Sequence, residues 1–257
     1  MKALLDGDML LYMVTLANEK EVIFSNDFHV LYADFDECRE AYTRHLNDLL
    51  EEAEMDDYLV FFSSRENWRK DILPEYKEHR KGSRRPTCFG RLKDWALADD
   101  KARMIEWLEA DDLIGMEATS SDEPTTIISH DKDFKTVPGR FLRYRQGAGF
   151  VDDITVDSEQ ARYWHMIQTL MGDRVDGYFG CPGVGEKTAP KLLDKMVETP
   201  GRITKDEFPA VWEQIIAQFE KAKSTAEDAL VNAQVARILH HGDYSGDFVR
   251  YWQPEYT

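Results

Sequence analysis

Residues 125–134 read "TTIISHDKDF". The first half is a short continuous run of β-branched and apolar residues, the mark of a strand buried on both faces. Two aspartates, Asp131 and Asp133, follow at once. The pattern recurs. "KALL" (2–5) leads into Asp6 and Asp8, and "YLVFF" (58–62) is a second buried run. "RMIEWLE" (103–109) reads as a strand running into a helix that begins near Ala110, which places Glu109, Asp111 and Asp112 at its end. Open α/β sheets gather ligands outside the carboxyl ends of their strands. Three separate strands therefore deliver acids to one edge.

Outward from these strands the chain alternates. A helix is expected near 9–17, a hairpin in "EVIFSNDFHVLY" (21–32), and a helix over 34–54 capped by Asp34. "RFLRY" (140–144) reads as another strand. From Ser158 to about His240 the pattern is helical, broken by "GDRVDGYFGCPGVGEKTAPKLL" (172–193) and by "TPGR". The expected fold class is α/β: a central, mostly parallel sheet flanked by helices, with a helical C-terminal section. The expected division is an α/β part over 1–157 and a helical part over 158–257, packed as one unit.

The chain has 257 residues, 42% hydrophobic, and no apolar run near the length of a membrane span. "MKALLDGDML" lacks the apolar stretch and cleavage site of a secretory signal. Cys38, Cys88 and Cys181 are odd in number and have no zinc spacing, so neither a disulfide framework nor a zinc site is expected. These features give the expectation of a reducing cytoplasm. The formal net charge is −17, which by itself disfavours a polyanionic partner. Its distribution points the other way: Arg65 to Lys93 holds ten Lys/Arg against four Asp/Glu, a local +6.

Clustered carboxylates repel and raise one another's pKa. Hard divalent cations relieve this, and Mg²⁺ or Mn²⁺ suits carboxylates with water and phosphate. Two such ions about 4 Å apart are a common engine of phosphodiester hydrolysis. Taken singly, the acids have plainer readings. Asp8 reads as a helix cap in preference to a ligand, Asp111 and Asp112 favour a helix N-terminus, and Asp131 and Asp133 form turns. Their joint arrival at strand ends favours the functional reading. The glycine stretch is not a P-loop, because Glu186 separates Gly185 from Lys187.

"LLDGDMLLY" (4–12), "PEYKEHRK" (74–81), "LEADDLIG" (108–115), "ISHDKDF" (128–134) and "LMGDRVDGYFGCPGVGEKTA" (170–189), in this order, resemble the structure-specific 5′ nuclease family. That family includes flap endonucleases and phage 5′→3′ exonucleases, and the resemblance is strongest to the exonucleases of short-tailed phages. It implies a PIN-like sheet, a helical arch over about 76–98 and a helix-3-turn-helix motif over about 172–197. It further implies a first metal site at Asp6, Glu109 and Asp111 with Asp112 beside them. A second site would use Asp131, Asp133, Asp173 and Asp176. Two Mg²⁺ or Mn²⁺ ions are the implied cofactors, with K⁺ at the glycine hairpin a further candidate.

By the same resemblance Lys77 and Arg80 lie near the scissile phosphate, and Tyr76 stacks on a terminal base. Arg84 and Arg85 belong to the basic arch. Gly183, Gly185, Lys187 and Thr188 hold duplex DNA. The implied substrates are DNA 5′ ends, flaps and duplex, with RNA–DNA hybrid as a further one, and no membrane is involved. One departure stands out. The family aspartate after the strand "YLVFF" is replaced by Ser63 and Ser64, which leaves the first site more hydrated or completed by Asp8. Two other readings are a PIN-type metal-dependent ribonuclease and a non-catalytic DNA-binding module.

Overall fold

The computed structural model describes residues 1–25, 28–120, 123–246 and 248–256. In chain order the elements are β1 (Lys2–Asp6), α1 (Gly7–Ala17), β2 (Lys20–Ser25), β3 (Phe28–Tyr32), α2 (Phe35–Glu52), β4 (Asp57–Phe61) and α3 (Arg69–Ile72). Next come α4 (Phe89–Ala96), β5 (Ala102–Arg103), α5 (Ala110–Ser120), β6 (Thr125–Ser129), β7 (Gly139–Arg145) and β8 (Gly149–Val156). The chain ends with α6 (Ser158–Met171), α7 (Ala189–Leu193), α8 (Phe208–Lys221), α9 (Ala226–Ala236), β9 (Tyr244–Ser245) and β10 (Phe248–Val249).

The main sheet has the order β5-β4-β1-β6-β7-β8. All its pairings are parallel except β7 with β8, which is antiparallel. This is the mixed, mostly parallel sheet flanked by helices that the apolar runs imply. Registers Leu5↔Val60, Asp6↔Phe61 and Leu5↔Ile128 bring the carboxyl ends of β1, β4 and β6 to one edge.

The period-two geometry of a strand sends alternate residues to opposite faces. Leu5 and Ile128 pack with α1, α2 and α4 through Leu10, Leu49, Phe62 and Leu92. Leu4 and Ile127 face the other way, onto Phe61, Ile114, Phe141 and the C-terminal Leu239. Truncating one such fully buried leucine to alanine costs roughly 2–5 kcal/mol. A separate apolar cluster joins α6, α8 and α9 through Met166, Ile167, Leu170, Ile215 and Phe219.

Caps set the helix starts. Asp34 accepts from Asp36 N and Glu37 N at 2.9 and 3.0 Å, fixing the start of α2 as expected. Asp157 and Gln160 form a capping box on α6. At α1 the cap is Asp6, which accepts from Met9 N at 3.1 Å, and not Asp8.

Three expectations need correction. "RMIEWLE" is not a strand: only Ala102 and Arg103 pair with β4, and Met104, Ile105 and Trp107 are exposed. β8 lies where no strand was expected; its sequence "GFVDDITV" is interrupted by two aspartates and pairs as an edge strand. The region 76–98 does not form a helical arch. It makes a single 3₁₀ turn at Glu78–Arg80, then runs without regular structure to α4, which is packed on the core by Phe89, Leu92 and Ala96. The hairpin of β2 and β3 forms as read, while its turn residues 26–27 lie outside the described residues. Among the described residues no helix is long and apolar enough to cross a membrane, and all three cysteines are free and buried.

Candidate active site

The strand edge gathers the acids. Asp6 closes β1, and its Oδ2 accepts from Ser129 Oγ at the end of β6 at 3.2 Å. Asp131, two residues on, caps a 3₁₀ turn by accepting from Asp133 N at 2.9 Å. Capping and clustering therefore coexist in the same side chains. α5 starts beside β4 because Ala110 N donates to Ser63 Oγ at 3.0 Å. Asp111, one residue on, then comes under the field of Asp6.

From the C-terminal section comes the loop 172–180. It is held by the Asp173–Tyr178 bridge and by Gly180 N donating to Asn232 Oδ1 at 2.8 Å. Gly172 and Gly180 have φ of +68° and +63° and approach so closely that a Cβ on either would overlap the other's backbone. Only glycine satisfies both conditions.

The electrostatics divide this cluster. Burial, then repulsion from Asp8 and Asp131, raises the Asp6 carboxyl to about 7. Burial, then Asp131 and Asp173, raises Asp133 to about 7. Asp111 is pushed well above the usual range by burial and by Asp6, Asp131 and Glu109. Glu109 behaves oppositely. Burial would raise it, but Lys77 and Arg69 outweigh burial and hold it at about 2. Lys77 Nζ donates to Glu109 Oε1 at 2.6 Å and sits 3.5 Å from Asp176 Oδ2; Arg80 Nη2 donates to Asp176 Oδ1 at 2.7 Å. For Asp176 burial outweighs both cations, and its pKa is raised.

Lys77 adopts φ +54°, left-handed for a residue with a Cβ, and its N donates to Asp176 O at 2.8 Å. Such strain costs on the order of 1–3 kcal/mol and concentrates at working sites. The expected cation pair is therefore at the cluster, but bound to carboxylates that were expected as ligands.

Two expected roles fail on geometry. Asp112 is fully buried, beneath Glu109, with which it shares Arg69. Its oxygens accept a bidentate pair of 2.8 Å bonds from Arg69, with further bonds from Trp68 Nε1 and Leu239 N. Every lone pair is committed to structure, which removes it from the metal set. Tyr76 is 3% exposed, with its hydroxyl donating to Glu109 and Asp176 at 3.0 and 3.2 Å. Its ring is not available to stack on a base.

Asp8 stands beside Asp6, whose carboxyl it raises, but it is already engaged. Ser63 N donates to its Oδ2 at 2.7 Å and Lys93 Nζ to its Oδ1 at 3.2 Å. Lys93 also donates to Ser63 O at 2.6 Å. A lysine–serine–aspartate joint thus stands where the family aspartate was missing.

Arg69 and Lys93 were missed from sequence. Both sit in a run of basic residues, and nothing in the spacing marks them as inward. Arg69 also donates to Val235 O and Arg237 O at 2.9 and 2.6 Å, tying α3 to the C-terminal end of α9.

Among the described residues none of the other DNA-binding candidates bonds to these acids, though Glu186 of the glycine turn pairs at 3.8 Å with Lys132, between Asp131 and Asp133. Arg84 forms a bidentate pair with Glu19, and Arg85 covers the Phe89 ring. Gly183 has φ +81° and open space around it. Gly185 N is taken by Thr188 Oγ1 at 2.8 Å, and Lys187 is exposed. α7, which follows, has only five residues, so its dipole contributes less to phosphate binding than the sequence implied.

The donor set is carboxylate oxygen throughout, which is hard-cation chemistry. Asp6, Asp111 and Asp133 form no ion pair among the described residues, and burial with mutual repulsion favours their protonated forms, a proton that a divalent ion would displace. Among the described residues no three of these groups converge as they stand into a ready metal cage.

A mostly parallel sheet with acids on its carboxyl edge and a helical section closing over them defines the class of protein: a nuclease built on an α/β sheet. Residues 3–140 match the family described as "5'-3' exonuclease, N-terminal resolvase-like domain", and the chain belongs to that family. It is 28% identical to the exodeoxyribonuclease of Enterobacteria phage T3, over 94% of this chain and 88% of the relative. It is also 28% identical to the exonuclease of Escherichia phage T7, over 94% and 89%. The solved structure of the T5 5′-exonuclease with zinc ions bound has the same fold, at TM-score 0.67 and 17% identity over 92% of this chain and 89% of that one.

Proposed function

We propose that this protein is a divalent-metal-dependent 5′→3′ exodeoxyribonuclease that also cuts 5′ flaps and the RNA strand of RNA–DNA hybrids, in phage DNA replication or breakdown. The observation that carries the reading is the meeting of Asp6, Asp111, Asp131 and Asp133 at one strand edge, with burial and mutual repulsion raising three of them. Family membership and the phage relatives support it.

Asp6, Glu109 and Asp111 would hold one Mg²⁺ or Mn²⁺ ion, and Asp131, Asp133, Asp173 and Asp176 a second. Bound ions supply Lewis-acid activation of water and stabilisation of the leaving oxygen. Lys77 and Arg80 neutralise Glu109 and Asp176 in the DNA-free protein. When a phosphodiester enters, its oxygens compete for these cations, which then face the charge that develops at phosphorus. Tyr76 keeps Glu109 and Asp176 oriented. Arg84 and Arg85 hold the single-stranded end. Gly183, Gly185, Lys187 and Thr188, over a helix-3-turn-helix segment of about 172–197, anchor the duplex without reading sequence, with K⁺ as a further ion there.

The test is digestion of 5′-labelled blunt duplex, 5′-flap and RNA–DNA hybrid, with Mg²⁺ and with EDTA. Short 5′ products that require Mg²⁺ are expected. Cleavage that persists in EDTA contradicts the metal reading, and cleavage of RNA alone contradicts the DNA reading.

A further inference from the structure

A line of guanidinium and aromatic groups runs from the basic segment along α4 and onto α2. It begins where Arg85 covers the Phe89 ring at 5.1 Å. It continues where Arg91 covers the Phe35 ring at 4.1 Å. It ends at Trp95, braced edge-on against the buried Tyr42 with ring centroids 6.0 Å apart. Trp95 is nevertheless 38% exposed, at the rim of a shallow groove of about 610 Å³ that Arg39, Arg44 and Asn47 also line.

Charge sharpens the point. In this chain of net charge −17, some surface arginines pair with a carboxylate. Arg39 has Asp36 and Arg84 has Glu19. Among the described residues Arg44, Arg85 and Arg91 form no ion pair. Glu40 also lines the groove, so its field is mixed near α2 and becomes cationic towards Arg91 and Arg85. Single-stranded nucleic acid is recognised by this combination: flat rings that stack on any base, and guanidinium groups along the backbone.

We infer that the α4–α2 face is a tract for the single-stranded 5′ tail of the substrate, taking its phosphates at Arg91, Arg44 and Arg39 and a base on Trp95. The inference rests on the nuclease reading above and adds a second, remote point of contact. α4 has eight residues, an extent of about 12 Å. At about 3.4 Å per stacked nucleotide this accommodates about three to four nucleotides beyond Arg85.

The experiment compares blunt duplex with duplexes carrying 5′ single-stranded tails of two and of twelve nucleotides. KM is measured for the wild type, for Trp95→Ala, and for Arg44→Glu, whose exposed position on α2 leaves the fold intact. The readout is the ratio of KM for the twelve-nucleotide tail to KM for blunt duplex. Each variant is expected to raise that ratio about tenfold, with a much smaller change for the two-nucleotide tail. A ratio equal to that of the wild type in both variants overturns the tract and leaves the nuclease reading intact. A wild type that cleaves none of the substrates with Mg²⁺ overturns the nuclease reading, and the tract with it.

Discussion

Glu109 and Asp111 stand two residues apart at the start of one helix, and the protein treats them oppositely. Glu109 is held at about 2 by Lys77 and Arg69, with Tyr76 adding a hydrogen bond. Asp111 forms no ion pair, and burial with its neighbours Asp6, Asp131 and Glu109 outweighs Lys77 and drives it well above the usual range. The difference extends across the cluster. Glu109, Asp112 and Asp176 are bound by Arg69, Lys77 and Arg80, while Asp6, Asp111 and Asp133 form no ion pair among the described residues and are driven towards their protonated forms. One half of the cluster is neutralised by the chain itself, and the other half is left for an external cation.

Four changes test this division. Arg69→Met leaves Asp112 buried without its counter-charge and should cost about 3–5 kcal/mol in denaturant unfolding. Adding Asp112→Leu should recover much of that loss, because the pair is removed as a unit. Asp133→Asn or Asp173→Asn should lower turnover about 10³-fold, roughly 4 kcal/mol of transition-state stabilisation. DNA affinity measured by fluorescence anisotropy should change little. Lys77→Ala should lower turnover about 10²-fold, roughly 2.7 kcal/mol, and affinity much less. A purely salt-dependent loss of affinity would make Lys77 a simple phosphate contact.

The smallest effect lies away from the site. Burial, then repulsion from Arg237, lowers His165 to about 3 against an ordinary 6.5. A histidine depressed in the folded state contributes stability that is complete above pH 6.5 and lost as pH falls towards 3. By pH 5.5 the loss should be about 1.4 kcal/mol. That part of the loss should be missing in His165→Gln when urea midpoints at pH 7.5 and 5.5 are compared, while His240, also lowered by burial, keeps its own.

The contrast also explains what sequence could show. β1, β4 and β6 were legible because a strand covered on both faces must be apolar throughout. Their carboxyl ends located Asp6, Asp131 and Asp133 without further information. β5 misled, because the apolar residues of "RMIEW", Met104, Ile105 and Trp107, face solvent. Asp112 was indistinguishable from Asp111, since adjacent residues at a helix start point in different directions and only packing shows which one meets Arg69. Tyr76 was misjudged for the same reason: the motif gives its place in the chain, while its burial depends on Tyr178, Val235 and Ala236 arriving from remote segments. Ser63 signalled a departure, and its compensation by Lys93 and Asp8 required the third dimension.

The most direct measurement of the central claim is Mn²⁺ binding to the DNA-free protein, followed by the paramagnetic resonance signal of the free ion. If Lys77 guards Glu109 while Asp111 awaits a cation, Lys77→Met should bind Mn²⁺ more tightly than the wild type. Asp111→Asn should bind it at least about tenfold more weakly. Unchanged or weaker binding in Lys77→Met, or unchanged binding in Asp111→Asn, would contradict the division.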